Sequence, residues 1–363
     1  MYHLSEPSNS VLDSFCKNIC DMDKLRQNIE DYYDGRETIP CKVKQHKAII
    51  NFTLKVSKKS VTGKFLAYLL RSNNLKKLLV GNLEHLLKIY KLIEKWRKKA
   101  KISKDVFYKA PTYNRIRSLY DNFAEGDTID LTLPILHEIF VDNGYENKNI
   151  FSKSKIVKLL ELRVCPYCGR SYIYSIENNY RLKGSHIVKP QIDHFFPKSK
   201  YPYFALSYFN LIPICHFCNM IGAKGDNDAL GRRDHLRYPY PYRFKDSDIK
   251  FYYEMNSTDY FNPDSFSVHI NYSNGTLEDG CRKDLSLDDF YASHNWEVFN
   301  LFRQFRLLKS KAAAYYGKMN IPSGRISISP QMVFGFDFNE LSSRNELLYK
   351  VKKDIFEQIS KIK

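Results

Sequence analysis

Four of the eight cysteines in this 363-residue chain fall into two Cys-x-x-Cys pairs, Cys165/Cys168 and Cys215/Cys218. Between the pairs lie an Asp193-His194 dipeptide and Asn210, and Asn219 follows directly on the last cysteine. Two such turns supply four thiolates, the ligand set of a tetrahedral structural zinc site in a reducing compartment. The 46 residues between Cys168 and Cys215 exceed the gap of a typical zinc ribbon. The stretch between them is therefore expected to be a structured insert whose ends the metal pins, built from extended runs such as SYIYSI, a loop and the DHFFP segment.

Asp193 and His194 end a short extended run. Neighbouring side chains diverge on a strand, so the carboxylate can hold a hard divalent cation while the imidazole faces a water. Phosphodiester hydrolysis would use that pair. A neutral imidazole near its ordinary pKa takes the proton of the attacking water, and Mg²⁺ or Mn²⁺ stabilises the leaving oxygen and the charge gathering at phosphorus. The other histidines carry less. His216 sits inside the second cysteine pair and reads as structural or phosphate-facing; His186, His235 and His294 read as loop, core or surface residues. Cys16 and Cys20 stand four apart with no second pair nearby, and read as two half-buried thiols.

The elements that must position these groups are mainly helical. Leucines at three- and four-residue spacing predict helix over residues 64 to about 102, divided at Gly81-Asn82, and FSKSKIVKLLEL (151–162) predicts an amphipathic helix running into the first cysteine pair. Residues 41–57 suggest a strand or an irregular segment. Strands are expected near 249–255 and 265–272, the latter closed by an Asn274-Gly275 turn, and helices near 287–317 and 339–361. The fold class is α+β, mostly helical. Its expected segments are a basic, mainly helical region over 1–129, a core with the zinc knuckle over 130–240, and a strand and helix region over 241–363.

A formal charge of +17 makes the surface attractive to polyanions, of which nucleic acid is the commonest. Lys95, Arg97, Lys98, Lys99, Lys101 and Lys104 are close enough together to touch several phosphates or to form a solvated helix end. The cysteine usage excludes a disulfide scaffold. The opening MYHLSEPSNS has no basic and apolar leader pattern, and no run approaches a membrane span, so a soluble cytoplasmic protein is expected.

The combination of Asp193-His194, Asn210 and Asn219 between cysteine pairs resembles the HNH endonuclease family, which has a ββα-metal core. Pro197, Asn210-Leu211, Cys215-x-x-Cys218-Asn219 and Lys224-Gly225 are similar to that family's D-H-x-x-P, N-L, C-x-x-C-[HN] and K-G elements. The resemblance implies that Asp193 and Asn219 hold the catalytic Mg²⁺ or Mn²⁺ and that His194 is the general base. It implies further that Asn210 fixes the loop and the base's orientation, and that Lys224 touches a phosphate. Lys189, Lys198 and Lys200 flank the segment as further candidate phosphate contacts.

Asn219 stands where many family members have histidine, and the Asp, His, Asn combination is similar to that of HNH domains in RNA-guided CRISPR nucleases. An amide oxygen suits Mg²⁺ better than Zn²⁺, so two different metals are expected. These motifs run from Cys165 to Asp226. More broadly, the chain from about residue 130, including FGFDFNE and LLYKVKKDIFEQI, resembles the stand-alone HNH proteins of Septu-type anti-phage defence operons. That resemblance implies an ABC- or SMC-like ATPase partner. Three functions follow: an HNH endonuclease on DNA, the same site acting on RNA such as tRNA, or a non-catalytic, zinc-stapled nucleic-acid-binding subunit.

Overall fold

The computed structural model describes residues 3–45, 48–104, 107, 126–160, 162–173, 190–220, 223–231, 235–320 and 327–361. The fold is α+β, with helices outweighing three small sheets. No described helix is long and apolar enough to cross a membrane. The chain divides into two compact units, each assembled from separate stretches: Pro7–Leu160 with Ile192–Ile212, and Met1–Glu6 with Glu161–Gln191 and Pro213–Lys363.

The first unit begins with α1 (Asn9–Ser14), which continues into a π-helical turn, Phe15–Ile19, and then α2 (Met22–Tyr33). Cys16 and Cys20 are buried at this turn, more deeply than the half-burial expected. Burial pushes the Cys16 thiol up to about 11, which suits a small apolar core group and not a metal ligand. The segment from residue 41 is a hairpin: β1 (Ile39–Gln45) pairs antiparallel with β2 (Ala48–Leu54), which β3 (Thr128–Ile129) joins in parallel.

The leucine-rich stretch forms three helices, α3 (Val61–Leu70), α4 (Asn74–Val80) and α5 (Leu83–Lys99). One break is the expected Gly81, where a Cβ would lie 2.3 Å from the Lys77 carbonyl oxygen. The other, at Ser72 in the left-handed region with φ of 50°, escapes the sequence pattern because leucine spacing resumes in phase beyond it. Asn82 caps α5 by accepting from the His85 N–H at 3.3 Å, and Arg97, Lys98 and Lys99 lie at its negative end. Arg97 is a buried partner of Glu94, with two 2.8 Å bonds, and so leaves the set of phosphate candidates. Lys95, Lys98, Lys99, Lys101 and Lys104 are exposed.

The unit continues with α6 (Thr132–His137), a second π-helical turn over Glu138–Tyr145, and α7 (Lys153–Leu160). Its core is completed by residues 192–212, which include parts of the paired strands β4 (Gln191–His194) and β5 (Leu211–Ile214). Aromatic side chains from this stretch enter the helical layer: Tyr203 meets Phe65 at 5.5 Å, Tyr201 meets Tyr90 at 5.9 Å and Tyr208 meets Phe15 at 5.4 Å between ring centroids. The buried Ser207 hydroxyl donates to the Leu78 carbonyl at 2.7 Å.

In the second unit, α8 (His216–Asn219) follows β5, and β6 (Ile249–Met255) pairs antiparallel with β7 (Phe266–Tyr272). Ile249, Phe251 and Tyr253 alternate inward on one strand, and Phe266, Val268 and Ile270 on the other. Helices α9 (Gly275–Lys283), α10 (Leu287–Ala292), α11 (Asn295–Lys318), α12 (Pro330–Phe334), α13 (Glu340–Asn345) and α14 (Tyr349–Ile359) complete the unit. On α14, Asp354 and Gln358 accept from the backbone N–H groups of Phe251 and Tyr253 at 2.9 and 3.1 Å, which satisfies the open edge of β6. The Asn274-Gly275 pair does not close a hairpin. Asn274 caps α9, accepting from the Leu277 N–H at 3.0 Å.

Gly280 lies inside α9, where a Cβ would sit 1.9 Å from the Arg237 carbonyl oxygen. At an ordinary helix-interior glycine, alanine adds about 1 kcal/mol of stability. Here Gly280→Ala is expected to cost more than about 2 kcal/mol, because backbone must move to admit the methyl group. Urea unfolding tests this, and equal or greater stability in the variant would contradict the close approach.

Candidate functional site

The first cysteine pair is held in a tight hairpin. Cys165 N–H donates to the Ser171 carbonyl at 2.9 Å, Ile173 N–H donates to Arg163 at 2.8 Å, and Val164 bridges Tyr172. Of the expected SYIYSI strand, residues 171–173 supply this return arm, and 174–176 lie outside the described residues. Gly169 has φ of 66° and donates its N–H to the Cys165 carbonyl at 2.8 Å, a turn that favours glycine. The next N–H, of Arg170, points at the Cys168 sulfur at 3.4 Å.

Across the 46-residue gap the second pair meets the first. The four sulfur atoms lie within 4.8 Å of one another and all four residues are buried, the one such group of potential metal ligands among the described residues. The Cys168 and Cys215 sulfurs are 3.8 Å apart. A tetrahedron with metal–sulfur bonds of about 2.3 Å has edges of about 3.8 Å, so the cluster has the ligand set and the size to hold a zinc ion. The pKa values of Cys165 and Cys168 are pushed in opposite directions. Burial holds Cys165 well up, whereas the bond from Cys165, with those from Cys215, Cys218 and the Arg170 N–H, brings Cys168 well down.

The first knuckle is fastened to the rest of its unit. The buried Tyr291 hydroxyl, on α10, donates to the Cys168 carbonyl, and the Leu348 N–H, just before α14, donates to the Gly169 carbonyl at 2.7 Å. The Arg170 guanidinium lies over the Phe290 ring at 4.3 Å. On the second knuckle, Asn219 is half-buried and its Nδ2 donates to the Gln191 Oε1 at 2.7 Å, while Gln191 Nε2 and His216 Nδ1 are 2.9 Å apart. Lys224, expected at a phosphate, has no exposed surface. Its ammonium lies 6.0 Å from the centroid of Tyr238, and its backbone N–H donates to the Cys218 carbonyl at 3.3 Å.

Asp193, His194 and Asn210 belong to the other unit, and all three are buried. The His194 ring has its Nε2 3.0 Å from the Ala205 carbonyl oxygen and packs edge-on against Tyr145, with centroids 4.6 Å apart. A carbonyl only accepts, so Nε2 carries the proton in the neutral ring and the basic lone pair belongs to Nδ1. Asn210 closes the intervening loop. Its Oδ1 accepts from the Phe196 N–H at 2.7 Å, its Nδ2 donates to the carbonyls of Phe196 and Phe204 at 3.2 and 3.0 Å, and its own carbonyl accepts from Phe195 at 2.9 Å.

Of the flanking lysines, Lys198 is paired with Glu146 at 2.8 Å and Lys200 lies 5.9 Å from the centroid of Tyr201. Lys189, like His186, falls outside the described residues. Sequence reasoning missed Gln191, Tyr145 and the Ala205 carbonyl. Gln191 carried a signal, since it stands two before Asp193 in an extended run. Tyr145 carried none, because its contact with His194 spans a separation that only the fold closes.

Compared with known proteins, the chain is 27% identical over 202 residues to protein ea31 of Escherichia phage lambda. The match covers 53% of this chain and 58% of that protein, so the chain spans little more than half the length of its relative. No family model and no solved structure matches.

A zinc ion held by the cluster would be released by replacing one ligand. Cys168→Ser is expected to lose most bound zinc by elemental analysis, to melt at lower temperature, and to lose amide protection over residues 162–173 in hydrogen exchange. Full zinc content in that variant would mean that the four sulfurs are not the binding site.

Proposed function

We propose that this chain is a metal-dependent HNH endonuclease that hydrolyses phosphodiester bonds, with DNA the favoured substrate. The observation that carries the reading is the His194 ring, buried, held by the Ala205 carbonyl at 3.0 Å and fixed in the tautomer whose Nδ1 can take a proton. A surface histidine beside an aspartate has no need of such a clamp, and a general base does, because proton transfer requires a fixed lone pair. The order β4, loop, β5, α8 supports a ββα reading, as do the Asn210 bonds that hold the loop between His194 and β5.

In this reading His194 accepts the proton of a water as its oxygen bonds to phosphorus and the ester bond to the leaving oxygen breaks. Asp193 and Asn219 would hold one Mg²⁺ or Mn²⁺, which supplies positive charge against the leaving oxygen and the phosphorus centre. The donor set fits a hard cation. Asp193 offers a carboxylate, and Asn219, with Nδ2 committed to Gln191, has its amide oxygen to present. The four cysteines would carry a separate structural zinc. Because Cys218 and Asn219 are adjacent, losing zinc would also misplace a ligand of the catalytic cation.

The Septu-like resemblance extends the proposal to an effector of bacterial anti-phage defence acting with an ABC- or SMC-like ATPase. Exposed lysines and the charge of +17 support a polyanionic substrate without choosing between DNA and RNA.

The purified chain is expected to nick or cut plasmid DNA with Mg²⁺ or Mn²⁺ and not with EDTA, and total tRNA in a parallel tube decides the substrate class. His194→Ala should lower the rate at least about 100-fold, in line with loss of a general base, while zinc content and DNA affinity stay near wild type. Retained cutting would sink the assignment. Asp193→Ala should abolish Mn²⁺ binding in calorimetry and leave zinc in place. If the wild-type chain binds no second metal, the non-catalytic binding subunit becomes the better reading.

A further inference from the structure

Beside His194 lies a group of charges that the proposed reaction does not use. Glu146 follows the π-helical turn Glu138–Tyr145 and carries two ammonium partners, one on each carboxylate oxygen. Lys198 lies 2.8 Å from Oε1, and Lys153, the first residue of α7, pairs with Oε2. Both lysines also sit over one aromatic ring: the Lys198 and Lys153 nitrogens are 5.1 and 4.4 Å from the centroid of Tyr145. That ring is the one packed edge-on against the His194 imidazole at 4.6 Å. Both ammonium groups and the imidazole therefore rest against the same buried phenol.

We propose that Lys153 and Lys198 form a nucleic-acid phosphate subsite next to the scissile bond, and that Glu146 occupies it until a backbone phosphate takes its place. This rests on the nuclease reading of His194. A carboxylate and a phosphodiester each present two anionic oxygens on one centre, so a phosphate can meet the same two ammonium groups that now meet Glu146. The exchange costs little. Side-chain exposures of 43% for Glu146, 42% for Lys153 and 35% for Lys198 place these pairs among part-exposed ion pairs, whose attraction water and salt screen. The Tyr145 ring keeps both cations in place while the anion changes, since its face attracts them independently of Glu146. While it occupies the subsite Glu146 is ionised: burial alone would raise its pKa, but the bonds from Lys153 and Lys198 prevail and hold it at about 2.

Fluorescence anisotropy with a short DNA duplex in EDTA, over a series of salt concentrations, tests the subsite without any cleavage. The double variant Lys153→Ala/Lys198→Ala should bind several-fold more weakly, with the slope of log K against log salt reduced by about 1.8, two phosphate contacts at about 0.9 each. Glu146→Gln, which keeps the shape and removes the competing charge, should bind about three- to tenfold more tightly. A wild-type slope in the double lysine variant would overturn the proposal, and so would unchanged or weaker binding by Glu146→Gln. Thermal melts of each variant confirm folding. Failure of the nuclease reading shows separately, as absence of metal-dependent cutting by the wild-type chain.

Discussion

The amide of Asn210 is the interaction on which the central segment depends. It is fully buried, and all its polar atoms act on one loop, joining Phe196 to Phe204 and, through the backbone, Phe195 to the start of β5. A buried amide left without partners costs on the order of 1–3 kcal/mol per group, so the loop and the asparagine specify each other. The loop in turn places the Ala205 carbonyl opposite His194 and directs Tyr201, Tyr203 and Tyr208 into the helical layer. One side chain thus connects the geometry of the imidazole to the packing of the first unit's core.

The cysteine cluster has the same part in the second unit. Hydrogen bonds from Tyr291 and Leu348 reach the backbone of the first knuckle from α10 and from the start of α14. A cation held by the four sulfurs would therefore tie together stretches that begin far apart in sequence.

Much of this was legible beforehand, and for physical reasons. Cys-x-x-Cys spacing is a local geometric requirement of a tetrahedral site, so the cluster could be read across a long gap. Leucine periodicity gave the helical run of α3 to α5 and its break at Gly81, though not the one at Ser72, and alternation gave β6 and β7. Local rules failed where the controlling partner is remote. Arg97 looked like part of a basic run until Glu94 claimed it. Lys224 looked like a phosphate contact, yet it is buried beside Tyr238. Asn274-Gly275 has the composition of a hairpin turn, but the asparagine side chain serves equally as a helix cap, and the helix that follows decides between them.

The aromatic stretch 192–212 also sets an order of assembly during synthesis. Helices α1 to α7 leave the ribosome before the residues that complete their core, and the stretch between them, 161–191, belongs to the other unit. Phe15, Phe65 and Tyr90 therefore have no native ring partners from this stretch until Tyr201, Tyr203 and Tyr208 emerge. The nascent first unit must remain partly open over that interval, an exposed apolar surface of the kind that chaperones bind.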